Sequence, residues 1–473
     1  MKKLTLILAL LLVAGITVAA YAEVQNVKVS GDITAYGISR QLGFQGKRDI
    51  NNDGTGTQVQ QMYKTLATIT RVKVDADLTD NVMTTVRLLN ERYWGNENTT
   101  VGDTGVNTDI FLDLAFVTLK EFLYSPLTLT IGRQELHFGS DMIIGDPDTN
   151  NMASTASVFG NTWMNKDSDL SARKAFDAIR ATLDYNPLVI DAIMAKIDEG
   201  SRYRQDDVNL YGINANYKIG GKYLSTAEAY WFEKRTGRGT AAGRYSGKKV
   251  DQVDTLGARL TATPHSRMSS SLEVAIQTGR GVPPFGADMP TVRRKAWALE
   301  ASSAVDLKDK IKYAPTVAAM YAYFSGEALD YTTDVGAYRG WDPMFENQTS
   351  GNIANTLFNQ TNVHVLGGIA TAQATEDVKL KAEYYAYWWA KAFPEGAIVN
   401  TVRDPFGVGD PDGGYCVTNK RFAGQEIDLT ATYDYTEDVQ FALMGGAFIP
   451  GSAFEKGNNT PAKEIIGSMK VTF

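Results

Sequence analysis

The chain has 473 residues, of which 44% are hydrophobic and 10% aromatic, and it carries 47 basic against 54 acidic side chains for a formal charge of -7. That balance argues against nucleic acid as a partner, and the single cysteine, Cys416, excludes a fold stapled by internal disulfides. Beyond the N-terminal segment no apolar run approaches the ~18 residues of a spanning helix, so a membrane location would require a closed barrel, where every backbone polar group finds a partner.

Lys2 and Lys3, an apolar run from Leu4 to Val18, and Ala20-Tyr21-Ala22 before Glu23 form a secretory signal pattern over 1-22, leaving 23-473 as the exported domain. Period-2 alternation then predicts strands near 25-39, 62-78, 80-93, 109-121, 126-135, 174-185, 187-197, 208-218 and 222-234. It continues near 251-264, 266-278, 293-306, 310-324, 361-375, 377-391, 420-435, 437-449 and 463-473. Connections after even-numbered strands are short, as at Thr79, Asn186, His265, Glu376 and Thr436. Those after odd-numbered strands are long, including 40-61, 136-173, 325-360 and 392-419. Short turns on one side and long loops on the other predict an all-β, transmembrane antiparallel barrel of about 18 strands in a bacterial outer membrane, with the turns periplasmic. The last strand, with Ile465, Gly467, Met469, Val471 and Phe473 on one face, resembles the closing strand of such barrels.

Alternation also sorts side chains between lipid and lumen. Leu380, Ala382, Tyr384, Ala386 and Trp388 share one face of their strand, and Lys379, Lys381, Glu383 and Tyr385 the other. A charge facing lipid at mid-membrane would cost roughly 2–4 kcal/mol, so the charged face should line the pore. By this rule Arg71, Lys73, Arg87, Arg180, Arg259, Lys379, Lys381 and Lys470 are basic lumen residues. Asp75, Asp113, Asp177 or Asp184, Glu228, Glu273, Glu300, Glu383, Glu426 and Asp428 are acidic ones. The mixture supports two readings: a basic ladder for an anionic chain, or ions that pair across strands. The aromatic run Tyr384 to Trp389 reads as an interfacial girdle.

Several motifs carry a family resemblance. Gly132-Arg133-Gln134-Glu135-Leu136 with Gly139, then Arg173 with Phe176-Asp177-Ala178-Ile179-Arg180, resemble paired motifs of the alginate export family of outer-membrane barrels. Ser325-Gly326 with Asp342-Pro343-Met344-Phe345 is similar to a third, and Gly424-Gln425-Glu426-Ile427-Asp428-Leu429 with Phe448-Ile449-Pro450-Gly451 to a fourth. The resemblance implies an eighteen-stranded channel passing an anionic polysaccharide outward, with periplasmic export partners. One departure is Met142, where the family pattern has arginine. Gly132 predicts a bulge that turns Arg133 inward, into a charged cluster with Glu135, Asp177 and Arg180 at the base of loop 136-173. That loop is expected to fold inward as a constriction, its Asn150, Asn151, Asn161 and Asn165 bonding to sugar or wall, although it shows no long apolar face.

His137, His265 and His364 have no Glu or Cys at metal-ligand spacing, and no Ser–His pattern suggests an enzyme. Loop 46-58, rich in oxygen ligands, reads as a solvated polar loop rather than a calcium site. No cofactor is expected. The partners expected are outer-membrane lipid, an anionic polysaccharide and periplasmic export proteins, and nothing marks an oligomer interface, which favours a monomer. An anion-selective or general porin is the alternative reading.

Overall fold

The computed structural model describes residues 26–42, 62–95, 110–147, 165–199, 207–221, 223–237, 250–281, 292–308, 310–327, 336–395, 397–399, 415–455 and 460–473. The signal segment, loop 46-58 and residues 148–164, with Asn150, Asn151 and Asn161, lie outside them. Among the described residues no helix is long and apolar enough to cross a membrane. The crossing is made by strands.

The first nine strands are β1 (Asn26–Gln41), β2 (Tyr63–Thr79), β3 (Val82–Tyr93), β4 (Phe111–Leu119), β5 (Leu127–Glu135), β6 (Ala175–Asp184), β7 (Leu188–Asp198), β8 (Val208–Lys218) and β9 (Leu224–Thr236). The second nine are β10 (Asp251–His265), β11 (Met268–Gly281), β12 (Ala296–Asp306), β13 (Thr316–Phe324), β14 (Val363–Gln373), β15 (Val378–Trp389), β16 (Phe422–Asp434), β17 (Val439–Pro450) and β18 (Ala462–Thr472). Val292–Arg293 continues β12 across a short break. Each strand pairs antiparallel with the next, and β18 pairs back onto β1 through Gly37↔Gly467 and Ala35↔Met469. The result is a closed eighteen-stranded antiparallel barrel. The terminal residue joins the seam: Phe473 N–H donates to the Gly31 carbonyl at 3.0 Å and accepts from Gly31 N–H at 2.8 Å. Closure leaves no unpaired edge, which a sheet in hydrocarbon requires.

Alternation is clearest on β16, where Ile427 is 46% and Leu429 58% exposed while Glu426 and Asp428, alternating with them, are fully buried. Phe441 and Leu443 on β17, and Leu256 and Leu260 on β10, likewise point outward. These exposed apolar side chains form the lipid-facing band. The aromatic run on β15 divides between the two faces. Tyr384 lies on the exposed face and Trp388 shares its parity, whereas Tyr385, Tyr387 and Trp389 turn inward and are buried. Only part of the expected girdle therefore faces lipid, because strict alternation holds through the whole run.

The main core lies inside the barrel. Leu136, Phe138, Met142, Ile143 and Ile144 from the loop after β5 pack with Trp341, Met344, Phe345, Ile353, Leu357 and Phe358 from the loop before β14, against the inner wall. The second loop includes one short helix, Asn352–Leu357. Two long loops thus fill part of the lumen at their end of the barrel.

Candidate functional site: a lumen filled by two docked loops

Docking begins at β5. Gly132 adopts φ +123°, and a Cβ there would run into the Ala115 carbonyl of β4, so glycine is needed for this close approach. The Gln134 amide then donates to the carbonyls of Gly132 at 3.2 Å and Ala178 at 3.1 Å. Beyond Leu136 the chain turns through Gly139 (φ +65°) and Asp141 (φ +62°) and meets the second loop. Ile144 and Phe345 form a parallel bridge. Phe345 N–H donates to Ile143 O at 3.0 Å, and Phe345 O accepts from Gly145 and Asp146 N–H at 2.8 and 3.0 Å. Phe176 of β6 packs edge-on to Phe345 with centroids 6.0 Å apart. Met142 is fully buried in this apolar contact, which explains why an arginine there would fit poorly. The expectation that the loop lacks an apolar face is corrected: Leu136, Phe138, Met142, Ile143 and Ile144 are all buried, at spacings of no single regular period.

Wall carboxylates hold the loops by their backbones. Glu228 accepts from Gly139 N–H at 3.0 Å and Glu273 from Ser140 N–H at 2.9 Å. Glu300 accepts from the Ser140 hydroxyl at 3.4 Å and from the Gln348 amide. Arg259 closes the same corner, donating to Gly139 O at 3.0 Å and lying 3.6 Å from Glu273. Glu426 accepts from Ile353 and Ala354 N–H at 2.7 and 2.8 Å, and Asp428 from Asn352 N–H at 3.3 Å. Carboxylates suit the unpaired N–H groups of a helix start by charge and by hydrogen bonding. Both residues therefore point into the barrel as alternation requires, but they are covered by the second loop.

Side chains of the loops complete the docking. Asp342 lies 2.9 Å from Lys234 and 3.9 Å from Arg294. Burial opposes its ionisation, but these two cations and the Met344 N–H outweigh burial and hold the carboxyl down to about 2. His137 bonds Asp141 at 3.0 Å, which raises its pKa against the opposing effect of burial. At the far end of the first loop, fully buried Arg40 of β1 lies 3.0 Å from Asp167, 2.8 Å from Asp169 and 2.9 Å from Glu464. Burial pushes the Asp167 carboxyl up, against the attraction of Arg40.

The remaining expected site residues separate into pairs. Arg71 meets Asp32 at 2.8 Å, Lys73 meets Asp75 at 2.9 Å, and Lys381 meets Glu383 at 2.8 Å. Arg87 binds Asp113 and Glu135, each at 2.5 Å. Arg180 binds Asp191 at 2.7 Å and lies over the Phe138 ring at 5.5 Å. The expected cluster of Arg133, Glu135, Asp177 and Arg180 does not form. Phe176 and Ala178 are buried inward, so Asp177 shares the outward face of β6 with exposed Ile179, and Arg133 pairs with it there at 3.1 Å. The expected bulge at Gly132 does not form: β5 keeps its register with β6 from Leu127 to Glu135, so Arg133 stays on the outward face with Ile131, and Glu135, the last residue of the strand, reaches Arg87.

Lys379 and Lys470, and Lys28 on β1, make no ion pair among the described residues. Lys28 is readable from the sequence by its outward neighbours Val27 and Val29, which are exposed. Among the described residues no group of three His, Cys, Asp or Glu side chains is placed to hold a metal ion.

A closed barrel with a lipid-facing apolar band and a charged interior is a transport channel of the bacterial outer membrane. The chain belongs to the alginate export family, whose model matches residues 37–468. Similar solved structures include Pseudomonas aeruginosa OpdK with vanillate, at 9% identity over 95% of this chain and 100% of that one, with a TM-score of 0.54. Acinetobacter baumannii OccAB3 matches at 11% identity over 95% and 99% of the two chains, with a TM-score of 0.52. Pseudomonas aeruginosa OccK2 (OpdF) in complex with glucuronate matches at 11%, 95%, 99% and 0.52 in the same terms. No curated protein matches the sequence.

Proposed function

We propose that this protein exports an anionic, alginate-like polysaccharide by passive diffusion, as a monomer, after residues 1-22 have directed residues 23-473 to the outer membrane and been removed. Membership of the alginate export family supports the substrate class. The observation that carries the reading is the distribution of lumen charge. Acidic residues outnumber basic ones in the whole chain, yet Glu228, Glu273 and Glu426 are occupied by loop N–H groups and Asp113 and Asp191 by arginine. Lys28 and Lys470, on the seam strands β1 and β18, and Lys379 on β15 make no salt bridge among the described residues. Fixed cations in a low-dielectric wall raise the local concentration of anions. Arg71, Lys73, Arg87, Arg180, Arg259 and Lys381 would add to the field only where a permeant carboxylate exchanges with their present partners.

The second reading is a channel for small carboxylates, and the two docked loops favour it because they occupy room a polymer would need. Vanillate and glucuronate, named with OpdK and OccK2, are both carboxylates. Reversal potentials across planar bilayers under a salt gradient test the anionic preference. Lys379→Glu with Lys470→Glu should move selectivity toward cations, and an unchanged potential would remove the basis of both readings. Block by uronate oligomers of increasing length then separates them, since a polymer path should bind longer chains more tightly, whereas a small-solute path should not.

A further inference from the structure

We propose that the barrel carries, on its lipid-facing surface near the long loops, a seat for the phosphate of an outer-leaflet glycolipid, centred on Arg421. The outward side chains at the long-loop ends of β12 to β15 form an aromatic belt. The rings of Trp297 and Tyr323 are 4.4 Å apart and those of Tyr323 and His364 4.7 Å. Trp388 lies 5.6 Å from Phe422, at the start of β16. Such belts sit at the level of lipid headgroups.

Arg421 precedes Phe422 and is exposed. Its Nε donates to Trp389 O at 2.7 Å, and its Nη2 lies 3.3 Å from His364 Nε2. A guanidinium only donates, so His364 Nε2 must accept. The imidazole is then neutral, with its Nδ1–H directed to the Tyr321 hydroxyl 2.8 Å away. Two neutral acceptors thus orient the guanidinium without cancelling its charge. No carboxylate pairs with Arg421 among the described residues. Lys420 and Lys391, both exposed, lie beside it and two residues beyond Trp389 in the chain. A fixed, uncompensated guanidinium fork above an aromatic platform matches a phosphate attached to sugar and acyl groups.

The test uses the full barrel in neutral detergent, loaded with lipid A or with its dephosphorylated form and read by native mass spectrometry. The wild type should retain lipid A about tenfold better than the dephosphorylated form, as hydrogen bonds to a charged group allow, and Arg421→Ala should abolish that preference. If Arg421→Ala fails to fold, Arg421→Gln removes the charge while keeping a polar side chain, and the same loss is expected. Equal retention of the two lipids by the wild type, or an intact preference in the folded variant, overturns the proposal. So does full displacement of lipid A by millimolar inorganic phosphate, which would mark a site for free phosphate.

Discussion

Phe345→Ala should open the channel while leaving the barrel intact. Phe345 is 3% exposed, lies edge-on to Phe176, and has the Lys234 ammonium 5.6 Å from its ring centre. Its backbone already joins the two loops, so the ring supplies apolar contact at the point where they meet. Truncating a buried phenylalanine costs about 3–5 kcal/mol. Because Phe345 belongs to no strand, that cost falls on loop docking and not on wall pairing. At about 1.4 kcal/mol per factor of ten, docking shifts roughly a hundred- to several-thousand-fold toward release. Single-channel recording should then show a higher or strongly fluctuating conductance, with Phe345→Leu intermediate. The heat-induced mobility shift of the barrel on gels should stay as in the wild type. If the variant folds and conducts at the wild-type level with wild-type noise, the docked loops do not narrow the permeation path. The constriction would then lie elsewhere in the lumen.

Three further outcomes follow from the charges that secure the loops. Asp342 is held at about 2, below its ordinary 3.8, so its contribution to docking is complete above about pH 4 and is lost as pH falls toward 2; conductance should rise over that interval and Asp342→Asn should remove the dependence. His137 has the opposite sign: its raised pKa adds docking stability below its ordinary 6.5 that is lost as pH rises through the folded value. Amide exchange at Gly139 to Asp141 should therefore quicken at alkaline pH beyond the normal chemical rate, but not in His137→Gln. Arg40→Met leaves Asp167, Asp169 and Glu464 without their shared cation, at a cost of about 3–5 kcal/mol typical of a broken buried ion pair. Limited proteolysis should cut within 165–173 in that variant at neutral pH, and the defect should lessen in acid as Asp167 protonates; resistance equal to the wild type would show that the segment is held by other contacts.

Strand positions were legible because a barrel wall repeats one physical constraint along its whole length. Leu380, Ala382 and Tyr384 against Lys379, Lys381 and Glu383 state the outward and inward faces directly, and the short turns fix which ends meet. Loop packing offers no such period. Leu136, Phe138, Met142, Ile143 and Ile144 follow a chain that turns at Gly139 and Asp141, so their common burial depends on partners two hundred residues away, at Met344 and Phe345. The face of Arg133 was legible as well: unbroken alternation sets it beside outward Ile131, and the glycine at 132 answers to the close approach of the Ala115 carbonyl, not to a bulge.

The docked loops also give the family motifs a physical meaning that their charges alone do not. In the first motif Gly132 permits the close approach of β4, Arg133 ties to Asp177, Gln134 caps carbonyls, Glu135 reaches Arg87, and Leu136 enters the inner core. In the third, the Ser325 hydroxyl accepts from Trp297 N–H at 2.9 Å and donates to Arg339 O at 2.8 Å, while Phe345 meets the first loop. In the fourth, Glu426 and Asp428 receive the start of the short helix, and Phe448 packs 5.2 Å from Phe358 just beyond it. These residues hold two loops inside a barrel. A carboxylate that satisfies a buried N–H cannot also repel a passing anion at full strength, since its field is partly cancelled where it is anchored. The same contacts that set the aperture therefore also weaken the acidic field along it.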